Sequence, residues 1–311
     1  NPGERMYVLM LGTKGDHKLF FNKLFFVDKD LGIDIVWHSD VDDATQTIVD
    51  NLKDAKKIGV DKHWSANFLL DLMEKLPDVK FVNGSKCVDY KRMVKDDHEQ
   101  QLMIEASRIN DQAIHEVIHQ VSLGLSELEV AAKLGDIYSK FGGEGNSFDA
   151  IIAYGANGAN PHHENDASCL KPGDSIIIDM GCKYQGYCSD MTRTVFYKEV
   201  SQEAKEVYEL VKAANEAAEA MIKPGVRLCD IDKTARDLIT KAGYGKEFNH
   251  RLGHFIGRDV HEYGDVSVNF DLEVKEGMTF SIEPGVYLPG KFGVRVEDLV
   301  LVTKDGCQVL N

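Results

Sequence analysis

The sequence of 311 residues corresponds to about two domains at roughly 100–200 residues each, and its 43% hydrophobic and 28% charged residues exclude a disordered or fibrous chain. Its 36 basic and 51 acidic residues give a net charge of −15, which disfavours nucleic acid and membranes as partners, and no apolar run approaches the ~18 residues of a membrane span. The 6 cysteines show no Cys-x-x-Cys spacing, which indicates neither a zinc knuckle nor a dense disulfide framework and favours the cytoplasm.

Residues 1 to about 90 alternate short β-rich runs with helix-like stretches, which predicts a small α/β unit. The predicted strands are residues 6–11, 19–27, 34–37, 57–60 and 79–82, and the predicted helices are residues 44–55 and 65–76. The histidines of this unit are scattered among charged residues, so we expect them to be structural. The sequence starts without Met, which predicts that it begins inside a longer natural chain.

A second domain is predicted after the polar, basic stretch of residues 89–95. A long helix pattern starts at Asp96, and a second starts at Ser126, where Glu129 completes a capping box, and runs to Tyr138. Two more helices are predicted over residues 201–222 and 229–242, and strand-rich segments follow each helix pair. This order predicts two similar halves, with the chemically active residue types in the strands of both.

The first strand-rich segment, residues 174–196, predicts a β-hairpin with a turn near Tyr184 and Gln185. A turn centred between those two residues places Asp179 directly opposite Asp190. Two carboxylates opposed on a sheet repel each other, so we expect a divalent cation between them.

The second strand-rich segment, residues 278–302, predicts another hairpin, around Pro289 and Gly290. A turn centred on Gly290 places Glu283 opposite Glu297, which makes a second carboxylate pair. Both predictions depend on the length of the turn, because a shift of one residue moves a side chain to the other face of the strand.

Histidines concentrate next to these carboxylates. His250, His254 and His261 fall within twelve residues between the two hairpins, and His162 and His163 precede the first hairpin. Four carboxylates and one imidazole suit two divalent ions that share bridging carboxylates. The sequence has no His-Glu-x-x-His zinc motif, Gly-x-Ser-x-Gly elbow, Walker loop or dinucleotide-binding glycine motif.

These motifs resemble those of the pita-bread dinuclear metallopeptidases, within the branch of Xaa-Pro dipeptidases (prolidases) and aminopeptidases P. The resemblance covers residues 97–311 fully. It implies an α+β fold, in which a pita-bread (creatinase/aminopeptidase) catalytic domain, residues 94–311, follows a smaller α/β creatinase-like domain, residues 1–93, that lacks its first strand and helix. By motif, the five metal ligands of the family fall on Asp179, Asp190, His254, Glu283 and Glu297.

The resemblance also implies roles for individual side chains. Asp190 and Glu297 are similar to the bridging carboxylates, and Glu283 is similar to the residue that moves a proton between the nucleophile and the leaving nitrogen. His162 and His261 match two non-ligand histidines that hold the substrate carbonyl. The other two positions that match, His250 and Arg295, line the substrate site, with Arg295 expected to bind a substrate carboxylate.

The resemblance favours metal-dependent hydrolysis of the Xaa-Pro imide bond in dipeptides by a hydroxide that bridges two ions, most consistent with Mn²⁺ and otherwise with Co²⁺ or Zn²⁺. Aminopeptidase P, which acts on longer Xaa-Pro-Yaa peptides, is the alternative, and a catalytically silent binding module is an alternative of another class. Methionine aminopeptidases and creatine amidinohydrolase fit the motifs less well. The resemblance also implies a homodimer.

Overall fold

The structure is a computed structural model, and it describes residues 4–27, 29–52 and 54–311. Contacts between residues divide the chain into two compact units, Asn1–Val88 and Asp89–Asn311. Within the described ranges, no helix combines the length and the apolar character that crossing a membrane requires.

The first unit is α/β, as the sequence predicts. Its elements in chain order are β1 (Val8–Met10), β2 (Lys18–Asn22), β3 (Asp34–His38), α1 (Ala44–Val49), β4 (Lys57–Val60), α2 (Ala66–Lys75) and β5 (Lys80–Asn83). Strand β2 pairs antiparallel with β1 and parallel with β3, and β4 pairs parallel with β5. Met6, Phe20, Ile48 and Leu72 form its buried core.

The helix α3 spans Lys86–Met93, where the sequence analysis predicts only a polar connection. The elements that follow are α4 (Asp97–Ser122), α5 (Glu127–Ala131), α6 (Leu134–Phe141), β6 (Ile151–Tyr154), a 3₁₀ turn (Gly155–Ala159), β7 (Ser175–Met180), β8 (Lys183–Tyr184), β9 (Tyr187–Cys188), β10 (Met191–Phe196), α7 (Gln202–Glu219), α8 (Leu228–Lys241), β11 (Gly253–His254), β12 (Asp265–Val266), β13 (Thr279–Ile282), β14 (Gly285–Leu288), β15 (Phe292–Arg295), β16 (Asp298–Val302) and β17 (Cys307–Val309).

Helix starts agree with the predicted starts at Asp96 and Ser126, of which only Ser126 was predicted as a cap. Asp96 and Glu99 form a reciprocal capping box at the start of α4, and Ser126 and Glu129 form one at the start of α5. The helix predicted from Ser126 to Tyr138 is in fact two helices. The backbone N–H of Lys133 bonds to the carbonyl of Val130, three residues back, which interrupts the α-helical pattern between α5 and α6.

The second unit has two cores of the same design, in which helices cover strands. In the first half, α4 and α6 pack with β6 and β7 through residues such as Ile109, Tyr138 and Ile178. In the second half, α7 and α8 pack with β13 and β14 through residues such as Val211 and Phe280. Strand β7 lies between β6 and β10, and β16 lies between β13 and β17.

The register of the first hairpin differs from the prediction. Asp179 pairs with Thr192, and the turn lies at Gln185 and Gly186, one residue later than predicted. Both residues have positive φ, 48° and 79°, which a two-residue hairpin turn of type I′ requires and glycine readily adopts. The direct opposition of Asp179 and Asp190 is therefore wrong. The shift by two positions leaves both residues on the same face, as diagonal neighbours.

The second hairpin has the predicted register. Gly285 pairs with Arg295 in the ladder of β14 and β15, which is nearer the turn, and Ile282 pairs with Asp298 in the ladder of β13 and β16. Both ladders therefore have the same register. Glu283 and Glu297 lie in the short gap between the two ladders, at positions that the common register places opposite each other.

Candidate metal centre

The predicted ligands come together in the second unit. Atoms of Asp190, His254 and Glu297 that can bind a metal all lie within 4.8 Å of one another. His254 Nε2 is 3.5 Å from Asp190 Oδ2 and 3.6 Å from Glu283 Oε1. The Nδ1–H of His254 faces the carbonyl of Phe255 at 3.3 Å, which directs Nε2 toward the carboxylates.

Burial makes this cluster electrostatically unfavourable by itself. Burial raises the pKa of Asp190 well above its usual range, and the neighbouring Asp179 carboxylate raises it further. Burial likewise raises the pKa of Glu297, with Asp190 as the strongest charged neighbour. Burial also raises the pKa of Glu283, to about 7, and it lowers the pKa of His254. Neutral carboxyl groups are thus favoured until a positive charge compensates them.

The unpaired atoms of the cluster fit a divalent cation. Asp179 Oδ1 and Asp190 Oδ1 are buried and accept no hydrogen bond from the described residues. Buried oxygens without a partner are costly, and carboxylates with one imidazole are ligands that Mn²⁺, Co²⁺ and Zn²⁺ accept. The donor set and its burial therefore fit divalent metal binding.

Arg295 has a different environment from the one expected. It is buried, and it bonds to the carboxylate of Asp179, to Thr192 Oγ1 at 3.0 Å and to the Tyr287 hydroxyl at 3.0 Å, with a longer contact of 3.3 Å to the carbonyl of Pro161. These contacts occupy four of the five guanidinium N–H groups. The forked hydrogen bond to a substrate carboxylate, which the sequence analysis assigned to Arg295, is therefore not available in this arrangement.

His250 continues the same hydrogen-bond chain. Its Nδ1–H donates to the carbonyl of Arg251 at 2.7 Å, and its Nε2 lies 3.0 Å from the Tyr287 hydroxyl. Burial lowers the pKa of His250 to about 4, so Nε2 of the neutral ring accepts a hydrogen bond from the Tyr287 hydroxyl. His250 is thereby connected to Asp179 through Tyr287 and Arg295.

The two predicted non-ligand histidines are exposed, in contrast to the ligands. The ring of His261 lies edge-to-face on that of His254, with centroids 4.2 Å apart. Burial of part of the ring lowers the pKa of His261 to about 4, with His254 as the strongest charged neighbour, and His162 is near enough to contribute weakly to the lowered pKa of both His261 and His250. His162 and His261 therefore lie at the solvent side of the carboxylate cluster.

Sequence reasoning missed three side chains that hold the predicted site residues in place. The Thr192 hydroxyl donates to Glu297 Oε2 at 2.7 Å, and the Ser281 hydroxyl lies 3.3 Å from Glu283 Oε1. Each of these residues is two positions from a predicted ligand, so strand alternation places it on the ligand face and could have identified it. The third, Tyr287, is a diagonal neighbour of Arg295 in the second hairpin, so the predicted register could have indicated that contact, whereas its contact with His250 depends on a separate segment.

Family comparison agrees with this geometry. Residues 101–304 match the sequence model of metallopeptidase family M24, and residues 2–94 match that of the creatinase/prolidase N-terminal domain. The chain belongs to metallopeptidase family M24. It is a metallopeptidase, with a creatinase-type N-terminal domain and the pita-bread catalytic fold that the sequence analysis predicts.

Individual relatives cover much of the chain. A putative dipeptidase, YkvY, of Bacillus subtilis is 42% identical over 231 residues, which are 74% of this chain and 64% of that protein. An Xaa-Pro dipeptidase of Pyrococcus horikoshii is 36% identical over 259 residues, which are 83% of this chain and 74% of that protein. The crystal structure of a dipeptidase from Pyrococcus horikoshii OT3 superposes with a TM-score of 0.93 at 35% identity and covers 100% of this chain and 87% of that one.

Proposed function

We propose that this metallopeptidase is an Xaa-Pro dipeptidase, which hydrolyses the imide bond of dipeptides with proline in the second position. The observation that carries the proposal is the buried group of carboxylates around His254, whose charges have no compensating cation among the described residues other than Arg295. The similarity to a relative named Xaa-Pro dipeptidase supports the choice of substrate.

The metal ligands in this proposal are Asp179, Asp190, His254, Glu283 and Glu297. Asp190 and Glu297 are the most deeply buried of the four carboxylates, and they are the proposed bridging ligands. We propose that the site holds two Mn²⁺ ions. When bound, two divalent ions would lower the pKa of a water molecule and polarise the scissile carbonyl. Arg295 holds Asp179 and so orients it as a ligand.

Glu283 is the proposed general acid and base. It takes the proton from the attacking water and later gives it to the leaving proline nitrogen. Its carboxylate contacts only the Ser281 hydroxyl and His254 among the described residues, so one oxygen remains free for this exchange. Burial raises the pKa of Glu283 to about 7, so this carboxyl group can change its protonation state near neutral pH.

Hydrogen-bond donors at the solvent side of the centre complete the site. We assign His162 and His261 to the substrate carbonyl and to the tetrahedral intermediate that forms from it. His261 is neutral at physiological pH because its pKa is about 4. One ring N–H can therefore donate a hydrogen bond without adding a positive charge beside the metal ligands. His250, fixed by Tyr287, is the proposed lining of the proline side.

The proposal includes the protein's setting. We propose residues 1–93 and 94–311 as the two domains, a homodimer, a cytoplasmic location, and no nucleic-acid or membrane partner. The acidic net charge of −15 supports the last of these.

The test is a single assay of three substrates with Mn²⁺-loaded and chelator-stripped protein. These are an Xaa-Pro dipeptide, an Xaa-Pro-Yaa tripeptide and a dipeptide without proline. We expect metal-dependent cleavage of the Xaa-Pro dipeptide, at least about 10-fold faster than that of the other two. Equal cleavage of the tripeptide would assign the chain to aminopeptidase P activity. Metal binding without cleavage of any substrate would favour the binding module.

A further inference from the structure

A second buried carboxylate, separate from the metal centre, lies at the start of α5. The side chain of Glu127 is fully buried. Its Oε1 accepts hydrogen bonds from the backbone N–H of Tyr154 at 2.8 Å and from Asn157 Nδ2 at 2.9 Å. Its Oε2 accepts from His163 Nε2 at 2.7 Å and from the backbone N–H of Asp166 at 3.0 Å. All four donors belong to one segment, residues 154–166.

The neighbouring acidic and imidazole groups do not make this place a cation site. Atoms of Glu127, His163 and Asp166 that could bind a metal lie within 4.8 Å of one another. A carboxylate offers about four lone-pair positions, however, and N–H donors occupy all four of those on Glu127. The arrangement therefore holds backbone and side chains, and a metal ion would have to displace those donors.

The segment that Glu127 holds carries His162 and reaches the metal centre. The backbone N–H of His162 donates to Asn160 Oδ1 at 3.1 Å, which fixes the loop immediately before the ring. The carbonyl of Pro161 accepts from Arg295 Nη1 at 3.3 Å, and the same guanidinium bonds to Asp179. The loop is thus tied to the metal centre at one point and to Glu127 at four.

The exposed His162 ring lacks restraints of its own. Among the described residues, no side-chain hydrogen bond is made by its two ring nitrogens, whereas the adjacent His163 ring is bonded to Glu127. The position of the His162 ring therefore depends on the backbone that carries it. A donor to a reacting carbonyl must be placed to within about 0.5 Å, which a free surface loop does not provide.

We propose that Glu127 is a positioning residue for His162: its buried carboxylate fixes residues 154–166 so that the His162 ring is presented to the substrate carbonyl. The inference rests on the proposed function in so far as it uses the role of His162. It assigns catalytic importance to a residue that touches neither metal nor substrate, 35 residues before the histidine that it serves.

The first experiment measures the loop directly and needs no substrate. Glu127→Gln keeps the size of the side chain, but the amide NH₂ cannot accept a hydrogen bond, so two of the four donors lose their acceptor. We expect hydrogen exchange at the amides of residues 154–166 to become at least about 10-fold faster in this variant. Glu129→Gln on the same helix is the matched control, because among the described residues the Glu129 side chain bonds only to Ser126, in the capping box. This change should leave exchange in the loop unchanged.

The second experiment asks whether Glu127 acts through His162. We expect Glu127→Gln to lower kcat for the Xaa-Pro dipeptide by roughly 10- to 100-fold, with little change in KM or metal content, and His162→Ala to lower it by roughly 100-fold. In the double variant, adding Glu127→Gln to His162→Ala should lower kcat by less than about 2-fold further, because the ring that Glu127 positions is absent.

The two experiments distinguish failure of the inference from failure of the proposed function. Unchanged exchange in Glu127→Gln overturns the inference, and so does a double variant in which the two losses multiply. If the wild-type protein cleaves no Xaa-Pro peptide, the proposed function fails while the exchange result still decides whether Glu127 holds the loop. If Glu127→Gln does not fold, Asn157→Ala removes only one of the four donors and should give the same pattern with smaller amplitude.

Discussion

The two carboxylate pairs of the candidate metal centre come from hairpins that place them differently. In the first hairpin, Asp179 lies within β7 and Asp190 just before β10, so the two are diagonal neighbours on one face. In the second hairpin, Glu283 and Glu297 lie in a gap between two ladders, at positions that the common register places opposite each other. A gap between two ladders can bring two carboxylates together outside a continuous sheet. Within a continuous sheet, like charges at directly opposite positions destabilise the strand pairing.

The two hairpins are joined at the point where the ligands meet. The backbone N–H of Glu297 donates to the carbonyl of Thr192 at 3.1 Å, and the Thr192 hydroxyl donates to Glu297 Oε2. Arg193 adds hydrogen bonds to the carbonyl of Glu297 at 2.6 Å and to Asp298 at 2.7 Å. The first hairpin therefore positions a ligand of the second, which means that the two pairs are not independent.

The largest effect is expected from a change of the proposed bridging ligand in the first hairpin, Asp190. Asp190→Asn removes a charge that the proposed centre needs, so we expect kcat to fall at least about 1000-fold and the metal content to drop. Metal analysis and steady-state kinetics measure both. Asp174→Asn is the control in the same hairpin, because, within the described part of the chain, that side chain bonds only to the backbone of Lys171. Full metal content and activity in Asp190→Asn would contradict the ligand assignment.

A smaller effect is expected where the hairpins join. Thr192→Val keeps the shape of the side chain but removes the donor to Glu297 and the acceptor of Arg295. We expect metal affinity or activity to fall about 10- to 100-fold, as for other groups that orient ligands. Thr194→Val, on the same face of β10, loses bonds to the backbone of Arg295 only. Equal losses in both variants would mean that strand pairing, rather than ligand orientation, is the cause.

The carboxylates of both hairpins predict how the stability of the metal-free protein depends on pH. The pKa of Glu283 is about 7 in the folded state, and burial raises those of Asp190 and Glu297 as well. The folded state therefore binds more protons than the unfolded state below these values, and stability falls as pH rises through them. The histidines whose pKa is lowered in the folded state oppose this only below about pH 6.5, where they are protonated in the unfolded chain.

Between pH 6.5 and 8 we therefore expect the unfolding free energy of the metal-free protein to fall by at least about 1 kcal/mol more than that of the metal-loaded protein. Urea unfolding at both pH values, with and without Mn²⁺, measures it. The pKa of Glu219, raised to about 8 by burial, affects both forms alike and cancels in the comparison. A stability that rises with pH in the metal-free form alone would contradict the crowding of the carboxylates.

The sequence alone predicted more of the elements than of their registers. Capping boxes and helical periodicity located α4 and the start of α5, because both signals are local. The register of the first hairpin was missed because it depends on which residues adopt positive φ, and Gly186 was the signal for the correct turn. The contact of Arg295 with Asp179 spans 116 residues of sequence, and no local pattern encodes it.

The smallest effects test the two turns themselves. Gly186 and Gly290 have φ of 79° and 75°, so an alanine at either position adopts a strained backbone and should cost about 1 kcal/mol of stability. Gly135→Ala, within α6 and with open space around the added Cβ, is the control and should stabilise by about 0.5–1 kcal/mol. Activity should stay within about 2-fold in all three variants. The two turns lie beyond the ladders that hold the predicted ligands, and Gly135 lies in the helix α6. Loss of activity in Gly186→Ala alone would show that the first turn fixes the register of Asp179, whereas the two ladders of the second hairpin keep Glu283 and Glu297 in place without their turn.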